Sequence, residues 1–490
     1  MAKQYTTIAT ACIVLSLGTC LAQTAAKSST PAEQPTGFAQ FINDAKHPVS
    51  WFDWGADFRA RNEYYNEIVS LNQSDIYSEQ DVVRFRGRLW ATAEPVKDLT
   101  LNTRLSAEPR LWNKRAFTTP YKGKTGMEWR YGIFDLLNVK WDKILDQPLT
   151  ITAGRQDIML GDFYDWWLVS DGTPNDGSWT FFLDSVRVTW EPEPLHTRFD
   201  LIYIQQSSRP DEWMPTIGDP VSPNYSDYYL TEQNERGAIL YASNKSIKNT
   251  QIDGYFIYKH DSAEELRFAG TERWSGDNAD IYTAGGKITG TPAEHWKYSL
   301  EGAYQFGQKE DRILGVETTR DIDAYGAKAK LTYLLKDQLN NQFSLSAEFL
   351  SGDDPNTKND EMFDVLWGRW PRWSELYIYS YATETSGKFA QMNNLFRVGP
   401  SWSITPAKGL TFTAAYNALF APEDTATRAV NTSVFSSDGN FRGHFAQAFV
   451  KYQINKYINA HLWGEAIWQG DYYENRDLLS FVRAEIMFTF

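Results

Sequence analysis

Cysteine is nearly absent. The 490-residue chain has two, Cys12 and Cys20, and both lie in the first 22 residues. Once that stretch is removed, a disulfide, a thiolate zinc site and a cysteine nucleophile are all excluded. Long apolar runs are equally scarce. Beyond residue 22, no segment stays apolar over the ~20 residues that a spanning helix needs, which excludes a helical membrane protein. Positive charge is in deficit. The formal net charge is −14, which argues against a nucleic-acid partner, since such partners are met by basic patches. Neither an HExxH nor a GxSxG motif occurs. The six histidines, His47, His196, His260, His295, His444 and His461, form no motif. We therefore assign no catalytic residue, no metal and no cofactor.

The apolar stretch that does exist is N-terminal. Lys3 supplies a positive start, Ile8 to Leu17 an apolar core, and Cys20-Leu21-Ala22 a small-x-small cleavage site before Gln23. This pattern is that of a secretory signal peptide over residues 1–22, and it is too short for an anchor. Leu17-Gly18-Thr19-Cys20 is the alternative, a lipoprotein site, although Thr19 is large for it. Residues 23–49 are rich in Ser, Thr, Ala, Pro and Gln and read as a flexible periplasmic lead-in.

Aromatics are abundant at 15 %, including 19 Trp and 27 Tyr, and they are spread through a chain of negative mean hydropathy. Their spacing is period two. Phe52, Trp54, Ala56, Phe58 and Ala60 alternate with Asp53, Gly55, Asp57, Arg59 and Arg61; Val482, Ala484, Ile486, Phe488 and Phe490 alternate with Arg483, Glu485, Met487 and Thr489. Successive strand side chains face opposite sides, so each segment has one apolar and one polar face. Such segments predict strands at 51–61, 82–94, 98–110, 129–142, 149–159, 180–191, 197–206, 235–243, 250–260, 279–290, 295–308, 321–334, 341–352, 390–404, 409–419, 441–454, 457–470 and 478–490. Many exceed the ~5–6 residues usual in soluble sheets. Short connections such as 94–97, 192–196 and 455–456 alternate with longer ones such as 62–81, 160–179 and 353–389. The expected fold is all-β: a transmembrane antiparallel barrel of about eighteen strands over residues 50–490, with short periplasmic turns and long extracellular loops. The strand-like Glu375–Thr383 would make the count odd, so it is placed in the seventh loop. The spacing of that loop does not say whether it turns into the pore.

Several stretches resemble the alginate-export family of outer-membrane barrels. Arg59-Ala60-Arg61 and Arg84-Phe85-Arg86 are similar to its Arg-x-Arg pairs. Gly154-Arg155-Gln156 followed by Gly161-Asp162 is similar to its GRQ-then-GD signature. Ala347-Glu348-Phe349-Leu350-Ser351-Gly352-Asp353 resembles its strand running into an SGD loop. Phe490 resembles the terminal aromatic by which the barrel-assembly machinery recognises its clients. The resemblance implies a charged lumen that passes an anionic uronate polysaccharide, with a periplasmic export scaffold as partner.

The candidate pore-lining residues follow from the polar faces. Arg59, Arg61, Arg84, Arg86, Arg88 and Arg104 share the inner face of the first three strands, with Arg187 further on. Guanidiniums present forked donors that match carboxylates, so they would contact an anionic solute. The alternative is that they brace the wall against Asp53, Asp57, Glu63, Glu94 and Glu108; the two roles are compatible. Arg155 falls on the lipid face by strict alternation, at a cost of ~2–4 kcal/mol near the midplane, so a bulge at Gly154 is expected to turn it inward. Glu301, Glu348, Glu465 and Glu485 set the opposite polarity or form wall salt bridges. Asp353, Asp354, Asn356, Asn359 and Asp360 fit no EF-hand spacing and read as a solvated loop. Trp141, Trp190, Trp296 and Tyr457 read as an interfacial girdle.

The sequence thus predicts a porin-like channel in the outer membrane of a Gram-negative-type cell. It would be embedded in outer-membrane lipid and pass an anionic polysaccharide or a small anionic solute. An uptake porin for acidic or sugar solutes, a barrel-borne hydrolase and a structural protein with a plugged lumen are the alternatives.

Overall fold

The computed structural model describes residues 37–67, 71, 75–118, 121–160, 180–209, 211–218, 230–268, 271–311, 318–354, 356–368, 373–378, 384, 393–423, 434–436 and 438–490. Residues 1–22 and Gly161-Asp162 lie outside this set.

A helix, α1 (Phe38–Lys46), precedes twenty-one described strands. They are β1 (Phe52–Asn66), β2 (Glu79–Val96), β3 (Leu99–Ala107), β4 (Arg110–Trp112), β5 (Gly126–Glu128), β6 (Gly132–Trp141), β7 (Leu149–Gln156), β8 (Leu183–Trp190), β9 (Thr197–Gln206), β10 (Gln233–Asn244), β11 (Thr250–Phe268), β12 (Thr271–Ser275), β13 (Asn278–Ala293), β14 (Trp296–Asp311), β15 (Thr318–Leu334), β16 (Gln342–Leu350), β17 (Leu395–Ala407), β18 (Leu410–Phe420), β19 (Phe441–Gln453), β20 (Ile458–Gln469) and β21 (Leu478–Thr489).

All but β4, β5 and β12 form the wall. Each wall strand pairs antiparallel with its neighbours, and β21 pairs with β1, from Asp57↔Thr489 to Asn66↔Ser480, so eighteen strands close into a barrel without an edge. Closure matters because an open edge in lipid would leave backbone groups unpaired. Every expected strand is present. Boundaries move where the two-faced pattern fails to mark them. The third expected strand, 98–110, stops at Ala107, and β4 then resumes pairing with β2. β11 runs on to Phe268 and forms a hairpin with β12.

The outer face is apolar. Phe58, Leu89, Leu240, Leu300, Tyr325 and Val482 are among its exposed side chains. Trp141, Trp190, Trp296 and Trp402 sit beside the short turns at the periplasmic ends of their strands and are exposed there, which makes an interfacial girdle. The 23–49 lead-in contains more order than its composition predicted, since α1 occupies part of it.

The chain ends inside the closing seam. The Phe490 amide donates to the Ala56 carbonyl at 2.7 Å, and the Ala56 amide donates back to the Phe490 carbonyl at 3.2 Å. The Phe490 ring lies 5.2 Å from that of Trp54. Deleting Phe490 removes a backbone pair and an outward ring together. We expect outer-membrane levels to fall and unfolded chain to accumulate in the periplasm. Normal levels on a membrane-fraction blot would show that the terminal ring has no assembly role here.

Candidate functional site in the barrel lumen

The inner face of β1, β2 and β21 is a charge cluster built by register. Arg61 stands directly across from Glu485 and Glu63 across from Arg483, because β1 and β21 pair at those positions. Arg61 Nε donates to Glu485 at 2.6 Å. Glu63 accepts from Arg483 Nε at 2.9 Å and from Arg84 at 3.2 Å, and lies 3.5 Å from Arg61. Arg59 reaches Glu108 at 3.3 Å, and Arg88 Nε donates to Asp57 at 2.7 Å, with Arg86 3.8 Å from the same carboxylate. Arg104 bridges Asp135 at 2.8 Å and Asp157 at 3.0 Å. Arg187 donates to Asp200 at 2.8 Å. Every arginine singled out on the polar faces therefore points inward and has a carboxylate partner. Arg59, Arg61, Arg84 and Arg86 are also buried. These contacts are the ion pairs that a bracing role requires.

Arg155 leaves lipid by a different route from the one expected. The register of β7 with β6 and with β8 runs through Gly154 without an extra residue. Instead Gly154 adopts a φ of 121°, and a Cβ there would strike the Leu137 carbonyl. The Arg155 guanidinium is buried between the Phe182 ring at 3.6 Å and the Trp213 ring at 4.8 Å, and pairs with Asp184 at 2.9 Å.

The seventh loop folds into the lumen. Two of its acidic residues are not solvated as expected: Asp353 pairs with Arg320 at 2.8 Å and Asp360 with Lys309 at 3.5 Å, and both carboxylates are buried. Burial pushes the Asp360 carboxyl up from its usual range and neighbouring Asp353 adds to this, while Lys309 draws it down. Further on, Asp364 exchanges hydrogen bonds with the Gln305 side chain at 2.7 and 2.8 Å and lies 3.7 Å from Lys259. Trp367 is fully buried over Gly237 on β10, where a Cβ would come within 2.8 Å of its ring. After Trp373 the chain makes a helical turn where a strand-like pattern was seen. Ser374 Oγ and the amides of Glu375 and Leu376 all donate to Glu465 on β20, at 2.8, 3.1 and 3.0 Å. Glu375 also pairs with Arg483 on β21 at 2.8 Å.

These anchor strands face one another. β10 and β11 lie nine places round the eighteen-strand wall from β20 and β21. The loop is thus a bar across the lumen, held at both ends. Phe363, Val365, Leu366, Leu376, Tyr377 and Ile378 join inward apolar residues of the extracellular half, such as Ile239, Ile257, Phe445 and Phe481, in the main buried cluster of the protein. Glu465 is therefore a loop anchor. Glu348 is braced by Arg397 at 2.8 Å and Lys328 at 3.0 Å.

The periplasmic half of the lumen differs. Lys297 is exposed on its inner face, Lys330 and Lys451 are half-exposed, and Arg198 keeps much of its surface. Asp200, Asp253 and Glu301 on the same wall are buried, while Asp53 and Glu94 stand at the rim. Lys297 and Lys330, on β14 and β15, lie nine places round the wall from β2 and β3, opposite the arginine sector. Reading the sequence by its arginines missed them, although Lys297 and Lys330 obey the same alternation. Among the described residues, no group of His, Cys, Asp and Glu is placed to hold a metal ion.

Residues 134–483 match the family model for alginate export. No curated protein matches the chain. Among solved structures, Acinetobacter baumannii OccAB1 is 12 % identical, with a TM-score of 0.52 over 90 % of this chain and 96 % of its own. A BenF-like porin from Pseudomonas fluorescens Pf-5 is 11 % identical, with a TM-score of 0.51 over 89 % of this chain and 98 % of its own. At these identities the likeness is one of fold.

Proposed function

Because this chain belongs to the alginate-export family and folds as a porin-like outer-membrane channel, we propose that it passes an anionic exopolysaccharide such as alginate out of the cell, delivered by a periplasmic scaffold. The observation that carries this reading is the lining of the periplasmic half. Cationic side chains stand on its surface, and the carboxylates Asp200, Asp253 and Glu301 on the same wall are buried. The whole-chain charge of −14 does not govern selectivity. An ion in the lumen responds mainly to charges within a Debye length, ~8 Å at physiological salt, and basic linings select anions.

In planar bilayers, reversal potentials under a salt gradient are expected to show anion preference. Replacing Lys297, Lys330 and Lys451 together with Gln should shift selectivity towards cations and weaken block by polyuronate added from the periplasmic side. The Arg84, Arg86 and Arg88 triple Gln variant should shift selectivity less, because two of these guanidiniums are buried. A cation-selective wild-type channel would overturn the reading.

One observation favours a second reading, uptake of a small acidic solute. The bar across the lumen narrows the path more readily for a chain of sugars than for a monomer. Flux assays with uronate monomer and with oligomers of increasing length separate the two. Export of polymer requires that oligomers permeate, whereas a monomer-selective uptake porin excludes them.

A further inference from the structure

We propose that the β4–β5 hairpin is a docking platform for an acidic polysaccharide at the extracellular mouth of the barrel, held by Arg115, Lys122 and Lys124. Residues 109–127 contain five basic residues, Arg110, Lys114, Arg115, Lys122 and Lys124, and no Asp or Glu, in a chain whose net charge is −14. Arg110 is buried, and the other four are exposed. Lys114 donates to Glu79 at 2.8 Å. Among the described residues, Arg115, Lys122 and Lys124 have no carboxylate partner. The acids of the adjoining segment are engaged elsewhere. Glu79 also accepts from the Tyr64 hydroxyl at 2.9 Å, Asp81 from the Asn62 side chain at 2.9 Å, and Asp75 from the Tyr77 amide at 2.8 Å. On the inner wall the arginines of β1, β2, β3 and β8 each have a carboxylate. The unpaired cations of the hairpin depart from that habit.

The hairpin is fixed in place. β4 pairs with the extracellular end of β2, from Val82↔Trp112 to Arg84↔Arg110. Val82, Trp112 and Ala116 form a buried cluster against which Phe117 and Tyr121 pack. The Trp112 indole donates to Glu128 at 2.6 Å, and the Gln80 side chain donates to the carbonyls of Tyr77 and Arg115 at 3.0 and 3.1 Å. The Ala116 amide donates to the Lys124 carbonyl at 2.9 Å, and the Gly123 amide to the Ala116 carbonyl at 2.8 Å, which sets the backbone of Arg115 beside that of Lys124. Lys122 Nζ stands 5.3 Å from the centre of the Tyr77 ring, and Lys124 Nζ 5.5 Å from that of Tyr121. A ring face positions an ammonium without cancelling its charge, so part of the cost of ordering two flexible side chains is met before any ligand arrives. The two lysines lean on different rings, so the charges are spread and do not converge on one pocket. Spread, singly charged ammoniums suit a polymer with carboxylates along its length. A lone phosphate calls for converging donors. The inference rests on the transport reading for the class of polymer, and not for its passage through the lumen.

The test is binding of fluorescent polyuronate to intact cells that display the full barrel, with a neutral glucan of equal length as control. The expected result is binding of polyuronate alone, weakening as salt rises because exposed charges are screened. The triple variant Arg115→Gln, Lys122→Gln and Lys124→Gln should lower the affinity several-fold and leave the reversal potential in planar bilayers close to that of the wild type. Lys122→Arg with Lys124→Arg keeps the charge and should keep the binding, which separates lost charge from a disturbed hairpin. Equal affinity of the triple variant and the wild type would overturn the proposal, and so would a wild type that binds no polyuronate. Tighter binding of the phosphorylated core oligosaccharide of lipopolysaccharide, lost in the triple variant, would assign the platform to neighbouring lipid and overturn it too. The two readings fail separately. An anion-selective channel whose triple variant binds polymer normally loses only the platform, and a cation-selective channel with platform-dependent binding loses only the transport reading.

Discussion

Excising residues 355–391 should raise single-channel conductance several-fold while leaving the barrel folded. The described residues of this stretch reach opposite walls, Trp367 over Gly237 on one side and Ser374, Glu375 and Leu376 on Glu465 on the other. Current must pass beside it. Its base is already closed, since the Asn394 amide donates to the Ser351 carbonyl at 3.0 Å, so a short linker can join the cut ends without moving β16 or β17. The wall itself is held by backbone pairing that runs unbroken from β1 to β21 and back. SDS resistance before heating should therefore survive the deletion. Excision does uncover inward apolar residues such as Ile239 and Phe445, so a lower heat-transition temperature is expected as well. A second variant avoids that loss: Glu465→Ala removes the acceptor for three donors and should release only the β20 end of the bar, giving frequent open-state flicker in place of a steady rise. Conductance unchanged in both variants would show that ions pass a route the bar does not touch.

The wall was legible in the sequence and the bar was not, for one physical reason. A strand in a barrel wall touches lipid on one side and the lumen on the other, and this imposes period two on its residues. Val83, Phe85 and Leu89 against Arg84, Arg86 and Arg88 carry that period. The bar has no such boundary. Phe363, Val365, Leu366 and Trp367 are buried by packing against many strands at once, so their spacing has no period. Their one trace in the sequence is composition, an apolar run inside a loop otherwise read as acidic and solvated. Arg61 shows a second limit. Alternation set its face correctly, but its partner Glu485 lies 424 residues away, and only the register of the closing seam brings them together. Arg155 shows a third: a positive φ at Gly154 and a covering tryptophan, not an inserted residue, keep the guanidinium from lipid.

That closing seam is where one atom change should cost most. Glu63→Gln leaves a side chain of almost the same shape but removes the negative charge shared by Arg61, Arg84 and Arg483. These groups are all buried, so the arginines cannot recover the lost partner from water. Breaking a buried pair in this way typically costs ~3–5 kcal/mol. The three arginines sit on β1, β2 and β21, so the strain falls on the seam where the first and last strands join. With an unfolding entropy of ~2.1 cal/mol/K per residue, a loss of that size lowers the heat transition of the SDS-resistant form by roughly 3–5 °C. Assembly should suffer more than the folded state does, because slipping β21 by one residue would turn Arg483 and Glu485 out towards lipid. We expect less folded protein in the outer membrane at the same synthesis rate. The double variant Glu63→Gln with Arg84→Met should recover part of the loss, since it removes one of the three guanidiniums that shared the carboxylate, while Arg61 and Arg483 keep Glu485 and Glu375. Lys297→Gln, which takes away an exposed charge on the opposite wall, should leave the transition unchanged. If Glu63→Gln melts and assembles like the wild type, the cluster is screened by water within the lumen, and its arginines are free to meet a passing anion after all.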